Sequence, residues 1–197
     1  MFWKRLTPLF FLILSSQVLF AHPHMWIKGR IEPQLSRKGL DAVSVYWDID
    51  ELTSSSLILD YDTNRDGELS SFEQEALRQN AFERLLESEY YLMVEVGSRL
   101  GTPDPAKDFR AHIENGHVIY EFTVPLDIPI RWEDLGETSI YFFDQSYFID
   151  FRPEDMEPVD VSYRNRLVSF EPVQRRSMTM GYGMVAVTAL AVQEILN

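Results

Sequence analysis

The stretch Phe109-Arg-Ala-His-Ile-Glu-Asn-Gly-His-Val-Ile-Tyr-Glu-Phe122 decides the fold class, because two alternating apolar runs flank a single turn dipeptide. Asn115-Gly116 favours a two-residue turn in which both residues have positive φ. This turn predicts that Glu114 pairs with His117, Ile113 with Val118 and His112 with Ile119. One face of the hairpin is then apolar, with Phe109, Ala111, Ile113, Val118, Tyr120 and Phe122. The sequence therefore predicts an antiparallel hairpin with one face in the core.

Strand periodicity continues on both sides of this hairpin. Val43, Val45, Trp47 and Ile49 alternate with polar residues, and residues 25–31 offer a partner strand. Further strands are predicted at residues 91–96, 139–143, 147–151, 159–163 and 167–170. Helical spacing is confined to residues 52–89. Ser70 and Glu73 make a capping-box pair at the start of the second helix, which is predicted to end near Glu89. We expect an α+β fold: a β-rich, sandwich-like single domain with one inserted helix–loop–helix.

The insertion contains Asp62-Thr-Asn-Arg-Asp-Gly-Glu-Leu-Ser-Ser-Phe-Glu73, which has the spacing of an EF-hand calcium loop. The ligand positions are filled by Asp62, Asn64, Asp66, Glu68 through its backbone carbonyl, Ser70 directly or through water, and Glu73. Gly67 allows the sharp turn at the sixth position. The pattern predicts a Ca²⁺ site between two helices. A single loop of this kind is more typical of a structural site than of a calcium sensor. The alternative interpretation of the motif is a polar Asp/Asn turn.

The two ends of the chain have different predicted roles. Residues 1–21 have the pattern of a secretory signal peptide, with Lys4 and Arg5 before the apolar run Leu9-Phe-Phe-Leu-Ile-Leu14 and Ala21 at the cleavage site. We expect a periplasmic protein whose β-rich domain covers residues 22–175. Residues 176–197 are predicted to form an apolar tail or helix. Its apolar run, from Met178 to Val192, is shorter than the roughly 20 apolar residues that a membrane-spanning helix needs.

Composition excludes several classes of protein. The chain has no cysteine, so neither a disulfide nor a lipid anchor on cysteine can form. Its net charge of −13 argues against binding to nucleic acid and favours cations. The sequence lacks a Gly-x-Ser-x-Gly elbow, a phosphate-binding glycine loop and a His-Glu-x-x-His motif. We therefore expect a protein without enzymatic activity.

The histidines are the candidate ligands for a transition metal. Cleavage after Ala21 would give His22 a free amine beside its imidazole, and His24 would add a second ring. Pro23 has no amide hydrogen, which excludes the square-planar chelate of three amino-terminal residues. The remaining nitrogens suit Zn²⁺, Ni²⁺ or Cu²⁺. The alternative is a solvated amino-terminal tail.

A second candidate site lies on the hairpin face opposite the core. The predicted register places His112, Glu114 and His117 together there, and two imidazoles with a carboxylate can ligate a transition metal. The alternative is an ordinary solvated sheet face.

These motifs together resemble the domain of unknown function 1007 family from His22 to about Phe170. The resemblance rests on Ala21-His-Pro-His-Met-Trp-Ile27, Val43-Ser-Val-Tyr-Trp-Asp-Ile-Asp-Glu51, the calcium-like loop, the Asn115-Gly116 hairpin and Tyr141-Phe-Phe-Asp-Gln-Ser-Tyr-Phe-Ile-Asp150. That family is often labelled as the periplasmic component of an ABC-type transport system, and its members commonly accompany NicO-type permeases. The resemblance implies a periplasmic accessory of zinc, nickel or cobalt transport, with a membrane metal permease as partner.

Two other functions are considered. The first is a calcium-stabilised structural or interaction module that docks a permease without binding a transition metal. The second is a copper enzyme that uses the amine and ring of His22, which would need a further facing histidine.

Overall fold

The computed structural model describes residues 23–152, 156–180 and 183–196. The signal peptide predicted at residues 1–21, and His22 with it, lie outside the described residues. The described part is a β-rich α+β domain of two sheets, as expected from the strand periodicity. None of its helices is both long enough and apolar enough to cross a membrane.

The first sheet has five strands in the order β5-β6-β2-β1-β8. These strands are β1 (Met25–Leu35), β2 (Gly39–Ile49), β5 (Lys107–Glu114), β6 (His117–Arg131) and β8 (Ile149–Phe151). Neighbours are antiparallel except for β1 and β8, which run parallel. The side chains of Val43, Val45, Trp47 and Ile49 are buried, which confirms the core face predicted for β2.

The second sheet has six strands in the order β4-β3-β7-β11-β10-β9. They are β3 (Leu92–Val96), β4 (Arg99–Leu100), β7 (Thr138–Phe142), β9 (Val159–Tyr163), β10 (Arg166–Met180) and β11 (Gly183–Leu196). The core joins both sheets: the Trp47 ring of the first sheet lies 6.1 Å from the Phe142 ring of the second. Leu135–Glu137 is a short 3-10 turn before β7.

The predicted hairpin register is confirmed in β5 and β6. His112 pairs with Ile119, Ile113 with Val118 and Glu114 with His117. Asn115 and Gly116 have φ values of 52° and 83°, as the two-residue turn requires. The local sequence therefore determines this hairpin.

The inserted helices are shorter than expected. Helix α1 (Glu51–Tyr61) begins at Asp50, whose carboxylate accepts hydrogen bonds from the N–H groups of Leu52 and Thr53. Helix α2 (Ser71–Asn80) begins with the predicted capping box of Ser70 and Glu73. The helix ends at Asn80, well before the predicted residue 89, and a kinked 3-10 segment (Phe82–Tyr91) follows. The change of direction stacks the Phe82 ring on the Phe109 ring at 3.9 Å.

The carboxyl-terminal segment differs from the prediction of a tail or helix at residues 176–197. Residues 183–196 form β11, which pairs with β10 on one side and with β7 on the other. Ala189 and Leu190 are buried there. A strand in the middle of a sheet has little need for polar residues, so its apolar run resembles that of a helix. The domain therefore extends beyond the expected boundary at residue 175.

Candidate functional site

The loop between α1 and α2 places its first carboxylate inside the protein. The Asp62 side chain is only 5% exposed. Its two oxygens accept hydrogen bonds from the backbone N–H groups of Asp66, at 3.2 Å, and Gly67, at 3.0 Å. Gly67 has a φ of 83°, a conformation that favours glycine. The loop therefore folds back around Asp62.

The next two predicted ligands also turn toward the loop backbone. Asn64 Oδ1 accepts a hydrogen bond from the Asp66 N–H at 3.0 Å, and Asn64 Nδ2 donates to Asp66 Oδ2 at 2.8 Å. Asp66 Oδ1 accepts from the Glu68 N–H at 2.9 Å. Oxygen atoms of three successive ligand positions are thus gathered within one tight turn.

Glu73 joins the two ends of the loop. Its Oε1 accepts hydrogen bonds from Thr63 N–H, at 2.8 Å, and Thr63 Oγ1, at 2.7 Å. Its Oε2 accepts from Ser70 N–H, at 3.0 Å, and Ser70 Oγ, at 2.8 Å. The hydrogen bonds from the Thr63 and Ser70 side chains, followed by those from the backbone, lower the pKa of Glu73 to about 2. Sequence analysis missed Thr63, although a hydroxyl beside the first ligand was a signal for it.

The donor set of the loop fits Ca²⁺ by its chemistry. Carboxylate, amide, carbonyl and hydroxyl oxygens are the hard ligands that Ca²⁺ prefers. A carboxylate has about four acceptor sites, and Glu73 already uses all four within the loop. A bound Ca²⁺ would therefore replace some of its hydrogen bonds to Thr63 or Ser70. Across the described residues, no three side chains of His, Cys, Asp or Glu already lie at the spacing of a metal site.

A glutamine that sequence analysis missed connects the loop to the five-stranded sheet. Gln74 Nε2 donates to the Leu69 carbonyl within the loop at 2.8 Å. Gln74 Oε1 accepts from the Ala111 N–H of β5 at 3.2 Å. Because β5 is the outer strand of its sheet, this N–H points away from the neighbouring strand β6. One side chain therefore links the loop to the sheet edge.

The second candidate site is only partly brought together. His112 Nε2 lies 4.0 Å from Glu114 Oε2, and both side chains are exposed. His117 Nδ1 instead lies 2.6 Å from Asp48 Oδ1 of β2. Lys28 Nζ approaches the other oxygen of Asp48 at 3.5 Å. The histidines thus have separate carboxylate partners, and Asp48 is a neighbour that sequence analysis did not identify.

His24 is held at the start of β1. Its backbone N–H donates to the Phe148 carbonyl at 2.9 Å, and the two rings lie 5.0 Å apart. The loop carrying Phe148 is organised by the buried carboxylate of Asp144, which accepts hydrogen bonds from the N–H groups of Ser146, Phe148 and Ile149. The His24 ring therefore packs beside a turn that is held by hydrogen bonds.

Comparison with known proteins places these features in a family context. The model of a family described as "Protein of unknown function (DUF1007)" matches residues 7–179. An "Uncharacterized 15.5 kDa protein in trpE 3'region" of Spirochaeta aurantia is 30% identical over 95 residues, which cover 48% of this chain and 66% of that protein. An "Uncharacterized protein" of Haemophilus influenzae is 26% identical over 153 residues, which cover 77% of this chain and 71% of that protein.

The chain thus spans just under two thirds of the length of the first of these relatives. No solved structure matches the chain.

Proposed function

The chain belongs to the DUF1007 family, and from that membership and the loop geometry we propose that it is a periplasmic accessory of divalent transition-metal transport that also binds Ca²⁺. The buried pair Asp62 and Glu73, at the two ends of one oxygen-rich loop, is the observation that supports the Ca²⁺ site best. Ca²⁺ would be held by Asp62, Asn64, Asp66, Glu68, Ser70 and Glu73.

Ca²⁺ has a structural role in this proposal. The ion offsets the mutual repulsion of the loop carboxylates in a chain whose net charge is −13. A ligand that binds only the folded state at a concentration 100 times its Kd stabilises that state by about 2.7 kcal/mol. Gln74 would transmit this stabilisation to the edge of the sheet, because it contacts both the loop and β5.

The melting temperature measured in EDTA and in excess Ca²⁺ tests this site. We expect Ca²⁺ to raise the melting temperature of the wild-type protein and to leave that of Asp62→Asn nearly unchanged. Asp60→Asn is the matched control, because Asp60 is exposed and precedes the loop at the end of α1. No shift in the wild type at millimolar Ca²⁺, or an equal loss of the shift in both variants, would exclude the site.

Transition-metal binding is assigned to the amino terminus, through His22 and His24. The packing of the His24 ring beside the Phe148 ring supports this assignment, because an imidazole with restricted motion loses less freedom on binding than a mobile one. His112, Glu114 and His117 form a weaker second candidate. Capture of Zn²⁺, Ni²⁺ or Cu²⁺ would weaken in acid, since protonated imidazole cannot ligate a metal. The proposed partner is a NicO-type membrane permease.

Mass spectrometry of the exported protein tests the predicted cleavage before His22. Calorimetric titration of that protein with Zn²⁺, Ni²⁺ and Cu²⁺ in saturating Ca²⁺ then tests metal binding. We expect stoichiometric binding by the wild type and by His112→Ala. We expect that binding to be lost in His22→Ala/His24→Ala. Equal weak binding in all three proteins would instead favour a calcium-stabilised module that docks a permease without binding a transition metal.

A further inference from the structure

A cavity of about 520 Å³ lies against the five-stranded sheet, and it is lined neither by the calcium-like loop nor by the histidines discussed above. It is lined in part by Arg30, Tyr46, Arg110, Glu121, Thr123 and Met156. Its volume falls within the range of roughly 300–1,000 Å³ that is usual for small-molecule sites. The polar side chains at its wall indicate which class of ligand it suits.

Four of these residues form one row across four strands. Arg30 of β1 is the register partner of Tyr46 of β2, Tyr46 that of Glu121 of β6, and Glu121 that of Arg110 of β5. Register partners point to the same face of a sheet. The neighbouring positions Ile31, Val45 and Phe122 are buried in the core and also contribute to the lining of the cavity, and the side chains of the row point to the opposite face.

One end of the row, formed by Arg30 and Tyr46, has defined chemistry. The Arg30 guanidinium lies 3.9 Å from the centroid of the Tyr46 ring, a cation–π contact that orients its plane. An oriented guanidinium is suited to bind a carboxylate through two parallel hydrogen bonds. Burial raises the pKa of Tyr46, so its hydroxyl remains a neutral donor over the physiological range.

Several of these polar groups are unused by the protein itself. Arg110 and Glu121 are direct partners of opposite charge, yet within the described residues neither forms an ion pair. Within the described residues, the hydroxyls of Tyr46 and Thr123 also have no hydrogen-bond partner. By contrast, Asp48 on the same face is paired with both Lys28 and His117. Among the described residues, those of the cavity thus include charges and hydroxyls that remain available to a ligand.

The charges around the cavity favour a ligand with both a negative and a positive end. The guanidiniums of Arg30 and Arg110 are accompanied by four carboxylates, those of Glu32, Asp108, Glu121 and Glu157. A purely anionic ligand would meet repulsion from the carboxylates, and a purely cationic one would leave the oriented guanidinium of Arg30 unpaired. Arg30 and Glu121 are two strands apart, which corresponds to about 10 Å.

We propose that this cavity binds a short peptide with free termini, about three residues long. The peptide carboxylate pairs with Arg30 and its ammonium group with Glu121. Three extended residues span about 10 Å, which matches the separation of the two strands. The hydroxyl of Tyr46, on the strand between Arg30 and Glu121, faces the peptide groups between the ends.

Calorimetric titration with trialanine tests this proposal. We expect saturable one-to-one binding, weakened at least tenfold by Arg30→Gln and by Glu121→Gln. Trialanine with an acetylated amino terminus and an amidated carboxyl terminus should bind at least tenfold more weakly to the wild type. Arg37→Gln and Glu87→Gln are matched controls, because both side chains are exposed and neither lines the cavity.

Singly blocked peptides identify which end meets which residue. Acetylation of the amino terminus should weaken binding to the wild type but cause little further loss in Glu121→Gln. Amidation of the carboxyl terminus should weaken binding to the wild type but cause little further loss in Arg30→Gln. Circular dichroism verifies that the variants are folded. Absence of saturable binding, equal binding of the doubly blocked peptide, or an equal loss in the control variants would overturn the proposal.

Discussion

The Val118 backbone N–H of β6 donates a hydrogen bond to the Ser54 hydroxyl of α1 at 2.8 Å. The same hydroxyl donates to the Ile49 carbonyl of β2 at 2.9 Å. The register of β2 and β6 ends at Asp48 and Ile119, so Ile49 and Val118 would form the next pair. The Ser54 hydroxyl therefore bridges the two strands where the ladder between them stops. Helix α1 is in this way joined directly to the first sheet.

We expect Ser54→Ala to lower the free energy of unfolding by about 1–3 kcal/mol, because it leaves two buried backbone groups without a partner. Urea unfolding followed by circular dichroism measures this change. Ser55→Ala is the matched control, since Ser55 is exposed on the same helix. A loss as small in Ser54→Ala as in Ser55→Ala would show that the bridge does not stabilise the fold.

Gln74→Leu removes both hydrogen bonds that link the loop to β5. We expect a loss of about 1–3 kcal/mol in the free energy of unfolding and faster hydrogen exchange at the Ala111 amide. Gln79→Leu, at an exposed position of the same helix, should leave that amide protected. Unchanged exchange at Ala111 in Gln74→Leu would contradict the link.

Glu73 should make the stability of the calcium-free protein depend on pH in acid. Its pKa in the folded protein is about 2, below the ordinary value of 4.5, so the ionised carboxylate favours the folded state. This contribution is present above pH 4.5 and is lost as the pH falls toward 2.

Melting temperatures of the wild type and of Glu73→Gln, measured in EDTA from pH 7 to pH 2, check this prediction. The wild type should melt higher above pH 4.5, and the difference should shrink steadily below that pH. A constant difference down to pH 2 would argue that the Glu73 carboxylate is not the group responsible.

Gly39 begins β2 with a φ of 129°, and a Cβ added there would lie 1.9 Å from the Ile130 carbonyl oxygen. Backbone strain alone should make Gly39→Ala less stable by about 1–3 kcal/mol, and the overlap with β6 adds to this loss. At Gly136 an added Cβ meets no atom within 4 Å, so Gly136→Ala is the control. Thermal unfolding of both variants measures the difference, and equal melting temperatures would contradict the role of Gly39.

The features that sequence predicted well are local ones. Asn115-Gly116 determines both the turn and the register of its hairpin, because one dipeptide sets the backbone twist that the strands must follow. The two residues of the capping box, Ser70 and Glu73, are likewise only three positions apart. Both depend on chemistry contained within a few positions of the chain.

The features that sequence missed depend on distant partners. His117 pairs with Asp48, which is 69 residues away, and that contact exists only because β2 and β6 are neighbours. Strand β11 lies between β7 and β10, so its apolar run carries no alternation by which a strand could be told from a helix. The direction change after α2 brings the Phe82 ring onto the Phe109 ring of β5, and no local pattern reveals that contact.

The cover that α2 provides for β5 has a consequence for solubility. An uncovered outer strand offers its N–H and C=O groups to any other chain that can add a strand, and this is a common origin of amyloid-like association. Gln74 occupies the Ala111 N–H, and the helix that carries it lies against the strand. If the loop lost its order, the backbone groups of β5 would be free to pair with another chain. If the loop binds Ca²⁺ as proposed, the ion protects β5 against fibril formation by keeping the loop ordered, and protein kept at low calcium should aggregate sooner.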